Sequence, residues 1–296
     1  MSALVSKETV ESSPPEIQEG YWQRVRHRLV RDKVTMLCLI VLALMFLAIV
    51  FAPFITSQSP FTGSMVHRLK PIGTPGHPLG TDELGRDMLA RLVYGGRLSW
   101  FIGIMPVVIA FIIGSSLGIV AGFAGGWLNM LIMRTTDIFY AFPSVLLAVA
   151  VSGALGPGIL NAIFALTLVF IPPLIRISES TTASIRALDY VEAARATGAG
   201  ALTIIRVHVL PNVMGPIFIY ATGLISVAMI LGAGLSFLGL GTRPPEPEWG
   251  LMLNTLRTVI YNKPLLAMLP GICIFVTSVC FNMVSDGLRS AMDVKT

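Results

Sequence analysis

Four histidines, three cysteines and sixteen acidic residues are the groups in this 296-residue chain best suited to bond chemistry, and their spacing offers none of it. His27, His67, His77 and His208 lie apart in polar segments, with no HExxH pair to hold zinc. Cys38, Cys273 and Cys280 fall in apolar runs without a CxxC, which argues against both a disulfide framework and a metal site. Ser236 stands in LSFLG, which lacks the GxSxG spacing of a nucleophile elbow. No GxxxxGK[ST] occurs and no glycine precedes a lysine, so the chain has no phosphate loop with which to bind and hydrolyse ATP. Nor do the apolar runs carry a ladder of acidic residues that would relay protons. The expectation is a chain that is not an enzyme, holds no cofactor or metal of its own, and takes its energy from a partner.

The stretch that stands out is built for contact. Residues 189–212, DYVEAARATGAGALTIIRVHVLPN, are the longest polar interruption of the hydrophobic runs downstream of Gly96. Irregular backbone does not face lipid, so this stretch belongs outside the hydrocarbon. Glu192, Ala193, Ala194, Arg195 and Ala196 favour a helix, Gly198 and Gly200 break it, and a second helical run from Ala201 is expected to end at Pro211.

The rest of the chain must hold that loop at a membrane surface. Hydrophobic residues make up 54% and charged residues 12%, with a mean hydropathy of +0.77, which leaves too little polar surface to cover a water-soluble globule. An all-α polytopic membrane protein follows. Six apolar runs are read as spans, at 34–55, 98–123, 129–152, 159–175, 213–240 and 265–284, each of a length to cross roughly 30 Å of hydrocarbon. Gly114, Gly118 and Gly122 recur every fourth residue and line one stripe of the second span, where another backbone can approach closely. Arg134 and Asp137 are three apart in the third span and close enough to pair. A polar helix is expected at 178–188. Residues 1–20 carry nothing that could bury an apolar face and are read as a flexible tail.

Between the first two spans, LGTDELGRD at 79–87 is expected to open a charged helix capped by Thr81. After the fifth span, the proline-rich 241–250 is read as a rigid outer loop with Trp249 at the interface.

Glu192, Ala193, Ala194, three residues, Gly198, then Leu210 and Pro211 resembles the cytoplasmic EAA loop of ABC importer permeases. His208 departs from the general pattern, which has isoleucine there, and RVHVLPN at 206–212 is similar to the dipeptide and oligopeptide branch of that family. GTDxxGRD at 80–87 and FLGLGTRPPEPEWGLML at 237–253 resemble the same branch. The resemblance implies a type I ABC importer permease fold, with residues 189–212 as the loop that couples to an ATPase. It also implies a second homologous permease as heterodimer partner, two cytoplasmic ATP-binding subunits that hold ATP and Mg, and an extracytoplasmic binding protein that delivers substrate.

Six spans put both termini on one side, and counting Lys and Arg gives thirteen on the side of the 189–212 loop against eight on the other. By the positive-inside rule that loop and both termini are expected to be cytoplasmic, and the resemblance implies a bacterial cytoplasmic membrane. The domain reading is a cytoplasmic tail at 1–33, a first span and extracytoplasmic loop at 34–96, and a permease core at 97–296. The net charge of +5 is spread along the chain, so lipid rather than nucleic acid is the expected neighbour. Peptides are the expected cargo. Nickel chelates, glutathione, antimicrobial peptides or another small solute remain open within the family, as does a proton-coupled secondary transporter outside it, and no residue is assigned to substrate.

Overall fold

The computed structural model describes residues 21–292, and its regular structure is helical, with three isolated β-bridges in the segment 63–87. The proposed tail at 1–20 lies outside the described residues. Twelve α-helices follow in order. They are α1 Tyr21–Arg31, α2 Lys33–Val50, α3 Ala52–Ile55, α4 Met88–Ala124, α5 Gly126–Tyr140, α6 Ser144–Leu155, α7 Ile159–Arg186, α8 Asp189–Ala196, α9 Ala201–Ile204, α10 Leu210–Phe237, α11 Trp249–Leu256 and α12 Pro264–Met292. Among the described residues five helical segments are long and apolar enough to cross a membrane, or six when the bent pair α5 and α6 counts as one span.

The centre of the bundle is the pair α4 and α7, and its closeness comes from the glycine stripe. A Cβ at Gly114 would stand 2.7 Å from the Leu174 Cβ, one at Gly118 2.6 Å from the Ser178 Cβ, and one at Gly122 2.8 Å from the Thr182 Cβ. No real Cβ fits at such distances, so the three glycines let the two backbones meet, as the four-residue spacing predicts. Helix α10 joins this pair through Ile217, Ala221 and Ala228, which share one buried cluster with Ile102, Leu166 and Leu174. Helices α2 and α12 form a satellite layer, packed through Cys38, Leu42, Cys280 and Val284.

Several elements depart from the sequence expectation, each for a local reason. The first span breaks at Phe51 into α2 and α3, where Pro53 takes a first-turn position of the new helix. The third span is not straight: α5 and α6 meet at 84°, because Pro143 has no N–H to continue α5 and itself begins α6 as its cap. Helix α7 runs unbroken to Arg186, so the polar segment expected as a separate helix at 178–188 is the projecting end of a span. Pro211 ends nothing. A π-turn over Ile205–Val209 carries α9 directly into α10, with Pro211 in the first turn of α10, where a missing N–H costs nothing.

The segment before α4 forms a compact cap instead of a helix. Asp87, not Thr81, is the residue that caps α4, its Oδ2 accepting from Ala90 N at 2.8 Å. Asp82 organises the turn: it accepts from the N–H groups of Leu84 and Arg86 at 2.9 Å each and from Arg86 Nε at 2.6 Å. Arg91 on α4 stands 3.2 Å from the same carboxylate and donates to the carbonyls of Pro60 at 3.0 Å and Pro245 at 3.3 Å. The loop before α11 is fastened to this cap. Glu248, 1% exposed, accepts from Gly250 N and Leu251 N at 2.8 Å each and from Ser99 Oγ at 3.2 Å. Burial pushes the Glu248 carboxyl above its ordinary range, opposed by those two backbone donors. Trp249 is not interfacial: it is buried, and its indole N–H donates to Leu92 O at 2.8 Å.

Candidate functional site

Val191 fixes α8 to the bundle. It is fully buried in the cluster that contains Ile204, Val209 and Val213, while Asp189, Tyr190, Glu192, Ala193, Arg195 and Ala196 are exposed. Ala194, one helical turn after Val191, is half-buried against the same cluster. One face of α8 is thereby docked and the other, with Glu192 and Ala193, faces outward.

Gly198 ends α8 in a Schellman turn. Its N–H donates to Arg195 O at 3.0 Å, and the N–H of Ala199 donates to Ala194 O at 3.1 Å. The backbone at Gly198 has φ +87°, while a Cβ built there meets nothing within 4 Å. Glycine is needed here for conformation and not for space. Past the turn, Leu202 is 79% and Val207 57% exposed, so apolar side chains sit uncovered beside the polar face of α8.

The two arms of the loop are braced to each other. The rings of Tyr190 and His208 lie 5.9 Å apart, and Asn212 Nδ2 donates to His208 O at 2.6 Å and reaches Tyr190 Oη at 3.4 Å. That gives His208 a structural task at the position where the general family pattern has isoleucine. Leu210 and Pro211 are exposed on the first turn of α10, beside this brace. The structure therefore presents Glu192, Ala193, Gly198, Leu210 and Pro211 on exposed surface and turns Ala194 partly inward. The sequence reading missed Tyr190, Val191 and Asn212; the three-residue spacing from Val191 to Ala194 was the available signal for the docked face.

The expected pair Arg134–Asp137 does not form. Asp137 instead bonds across helices to Arg176 on α7, Nη2 to Oδ1 at 2.6 Å, and the guanidinium lies 4.5 Å over the Tyr140 ring.

Comparison with known proteins agrees with this architecture. Residues 114–295 match the model of the binding-protein-dependent transport system inner membrane component, and residues 20–71 match the N-terminal TM domain of oligopeptide transport permease C. The chain belongs to the OppC/DppC family of ABC permeases. It is 40% identical over 287 residues to the dipeptide transport system permease protein DppC of Alkalihalophilus pseudofirmus, covering 96% of this chain and 94% of that one. It is 40% identical to the di/tripeptide permease DppC of Pseudomonas aeruginosa, over 95% of this permease and 93% of the relative. Identity to the glutathione transport system permease GsiD of Pectobacterium atrosepticum is 37%, over 93% and 90% of the two chains. A solved inward-facing structure of the MetNI methionine ABC transporter shares the fold, with TM-score 0.57 over 69% of the permease and 97% of that chain at 20% identity. As a permease of this family, the chain is a multi-pass transmembrane subunit of a binding-protein-dependent ABC transporter and not its ATPase.

Proposed function

We propose that this permease forms half of the membrane pathway of an ATP-driven importer of di- and oligopeptides. The observation that carries the reading is the likeness, at 40% identity over nearly the whole chain, to permeases named for dipeptides and di/tripeptides. The other half is a second, homologous permease. Two ATP-binding subunits, each holding ATP and Mg, sit against the α8 to α10 surface, where exposed Glu192 and Ala193 flank exposed Leu202 and Val207. An extracytoplasmic binding protein delivers the peptide at the opposite end. Both termini and the α8 loop face the cytoplasm of a bacterial cell, a placement supported by the thirteen-to-eight division of Lys and Arg.

In this scheme α8 is the element through which closure of the ATPase moves the spans, and Glu192, Ala193, Ala194, Gly198, Leu210 and Pro211 are the residues of that contact. Glutathione is the second reading, favoured by the 37% identity to GsiD permeases. Reconstitution of the full complex in proteoliposomes with its binding protein tests the proposal. ATP-dependent uptake of radiolabelled dipeptides is expected; uptake of glutathione or a nickel chelate and of no dipeptide refutes the peptide assignment.

A further inference from the structure

The bend between α5 and α6 leaves a cleft of about 410 Å³ against α7 and α10, walled by Tyr140, Phe142, Pro172, Pro173, Tyr220 and Leu224. That volume lies in the range of roughly 300–1,000 Å³ in which small-molecule sites occur. Asp137 precedes Tyr140 by one turn of α5, and Arg176 follows Pro172 and Pro173 by one turn of α7, so the ion pair lies one turn beyond the cleft lining on both helices, with the Arg176 guanidinium 4.5 Å over the ring of Tyr140, which lines it. Tyr220 also lines a second cleft, with Ile177, Asn212 and Arg289, on the side of the α8 loop.

Charged side chains on spanning helices pair with each other or face a water-filled cavity. Arg176 and Asp137 pair through a single N–H···O contact, and about half of each side chain, 50% and 46%, remains exposed. No other hydrogen bond or ion pair within the described residues engages the Asp137 carboxylate, and the guanidinium has only the Tyr140 ring besides. One carboxylate oxygen and most of the guanidinium fork are therefore free to take a ligand.

We infer that Arg176 and Asp137 read the charged ends of a short peptide on its way through the membrane, Arg176 binding the α-carboxylate and Asp137 the α-ammonium group. This rests on the peptide reading above. A zwitterion is the one kind of solute that can replace each charge's partner without leaving any charge unpaired in the spans. A dipeptide spans about 7 Å when extended, so both ends are held only after the Arg176 side chain swings off Asp137. The pair is closed without peptide and opened by it. The aromatic and proline wall above offers apolar surface with little polar demand, which suits cargo of varied side chains.

The test is ATP-driven uptake by the complete reconstituted complex, using a dipeptide as the free zwitterion, as its C-terminal amide and as its N-acetyl derivative. Each is supplied at a concentration that saturates the binding protein, checked by the binding protein's fluorescence. Because the binding protein is common to all preparations, a changed ratio between peptides belongs to the permease. Wild type is expected to favour the zwitterion at least tenfold over either blocked form. Arg176→Gln should lower zwitterion uptake tenfold or more while leaving the amide unchanged, and Asp137→Asn should do the same with respect to the N-acetyl peptide. Arg176→Lys, which keeps the charge and guards against failed assembly, should restore most of the preference. If all three peptides fall by one common factor in the variants, the pair is only a brace between α5 and α7 and the inference is overturned, while the peptide importer stands. Equal uptake of free and blocked peptides by wild type overturns it as well. A wild-type complex that moves no peptide at all removes the proposed function and this inference together.

Discussion

Replacing Gly198 separates conformation from space at the coupling surface. The backbone there is left-handed, φ +87°, and a built Cβ touches nothing within 4 Å, so any substitution is penalised through the dihedral alone. For a residue with a Cβ the left-handed region costs about 1–2 kcal/mol, and a β-branched side chain lies at or beyond the upper end. Asparagine, whose short polar side chain tolerates this region, costs much less. The turn itself is held by two hydrogen bonds, of 3.0 and 3.1 Å, on exposed backbone, so a penalty of this size is comparable with what closes it. One to two kcal/mol changes a two-state population by roughly 5–30-fold. Gly198→Val is therefore expected to reduce substrate-stimulated ATPase activity and peptide uptake several-fold to about thirtyfold, Gly198→Ala less, and Gly198→Asn least of all. All three should assemble normally, since Gly198 packs against nothing. The assay is ATP hydrolysis and uptake by the purified complex in proteoliposomes, with subunit stoichiometry measured in parallel. Equal losses for valine and asparagine would refute the dihedral argument, and unchanged activity in the valine variant would remove Gly198 from the coupling mechanism.

Other outcomes follow from the same coordinates. Ala193→Asp, on exposed surface, should leave the permease inserted but release the ATPase subunits on co-purification, whereas Val191→Asp buries a charge and should abolish a cooperative thermal transition in detergent. Gly118→Leu forces a side chain into Ser178 and the Ile175 carbonyl on α7 and should destabilise the bundle by about 3 kcal/mol or more, read as a lowered melting temperature. Burial raises the Glu248 carboxyl, so the folded chain keeps that proton to higher pH than the unfolded chain; stability is full below the ordinary carboxylate value and falls as pH rises through the folded value. Glu248→Gln should flatten that part of a melting-temperature profile against pH. With the three native cysteines replaced, single cysteines at exposed Val66 and Arg243 should react with an impermeant thiol reagent in cells with an opened outer barrier, and one at Thr197 only after the inner membrane is broken. Labelling of Thr197 in sealed cells would invert the proposed orientation.

The spans and the glycine stripe were legible because hydropathy and a four-residue repeat are properties of one helix at a time. The α8 helix and its glycine stop were legible for the same reason. What the sequence hid depends on partners far along the chain. Asp137 has Arg134 one turn away, yet it bonds to Arg176, thirty-nine positions on, because α5 packs against α7. Trp249 reads as an interfacial residue beside a run of prolines, but its N–H finds Leu92 O on α4, 157 positions earlier in the chain. Pro211 misled for another reason: a proline stops a helix only where its N–H is wanted, and a π-turn just before it makes that position a first turn.

The unbroken passage from α9 through that π-turn into α10 has a mechanical consequence. The 37 residues from Ala201 to Phe237 form one helical rod, about 55 Å along its path at 1.5 Å per residue. One end carries Leu202 at the α8 surface; near the other, Gly232 lies against Ile102 of α4. A rod of that length amplifies angle: tilting it by about 5° carries its far end through about 5 Å, close to the rise of one helical turn. A change at the loop too small to notice as a rotation would therefore arrive at the opposite side of the bundle as a displacement large enough to shift α10 one ridge past α4.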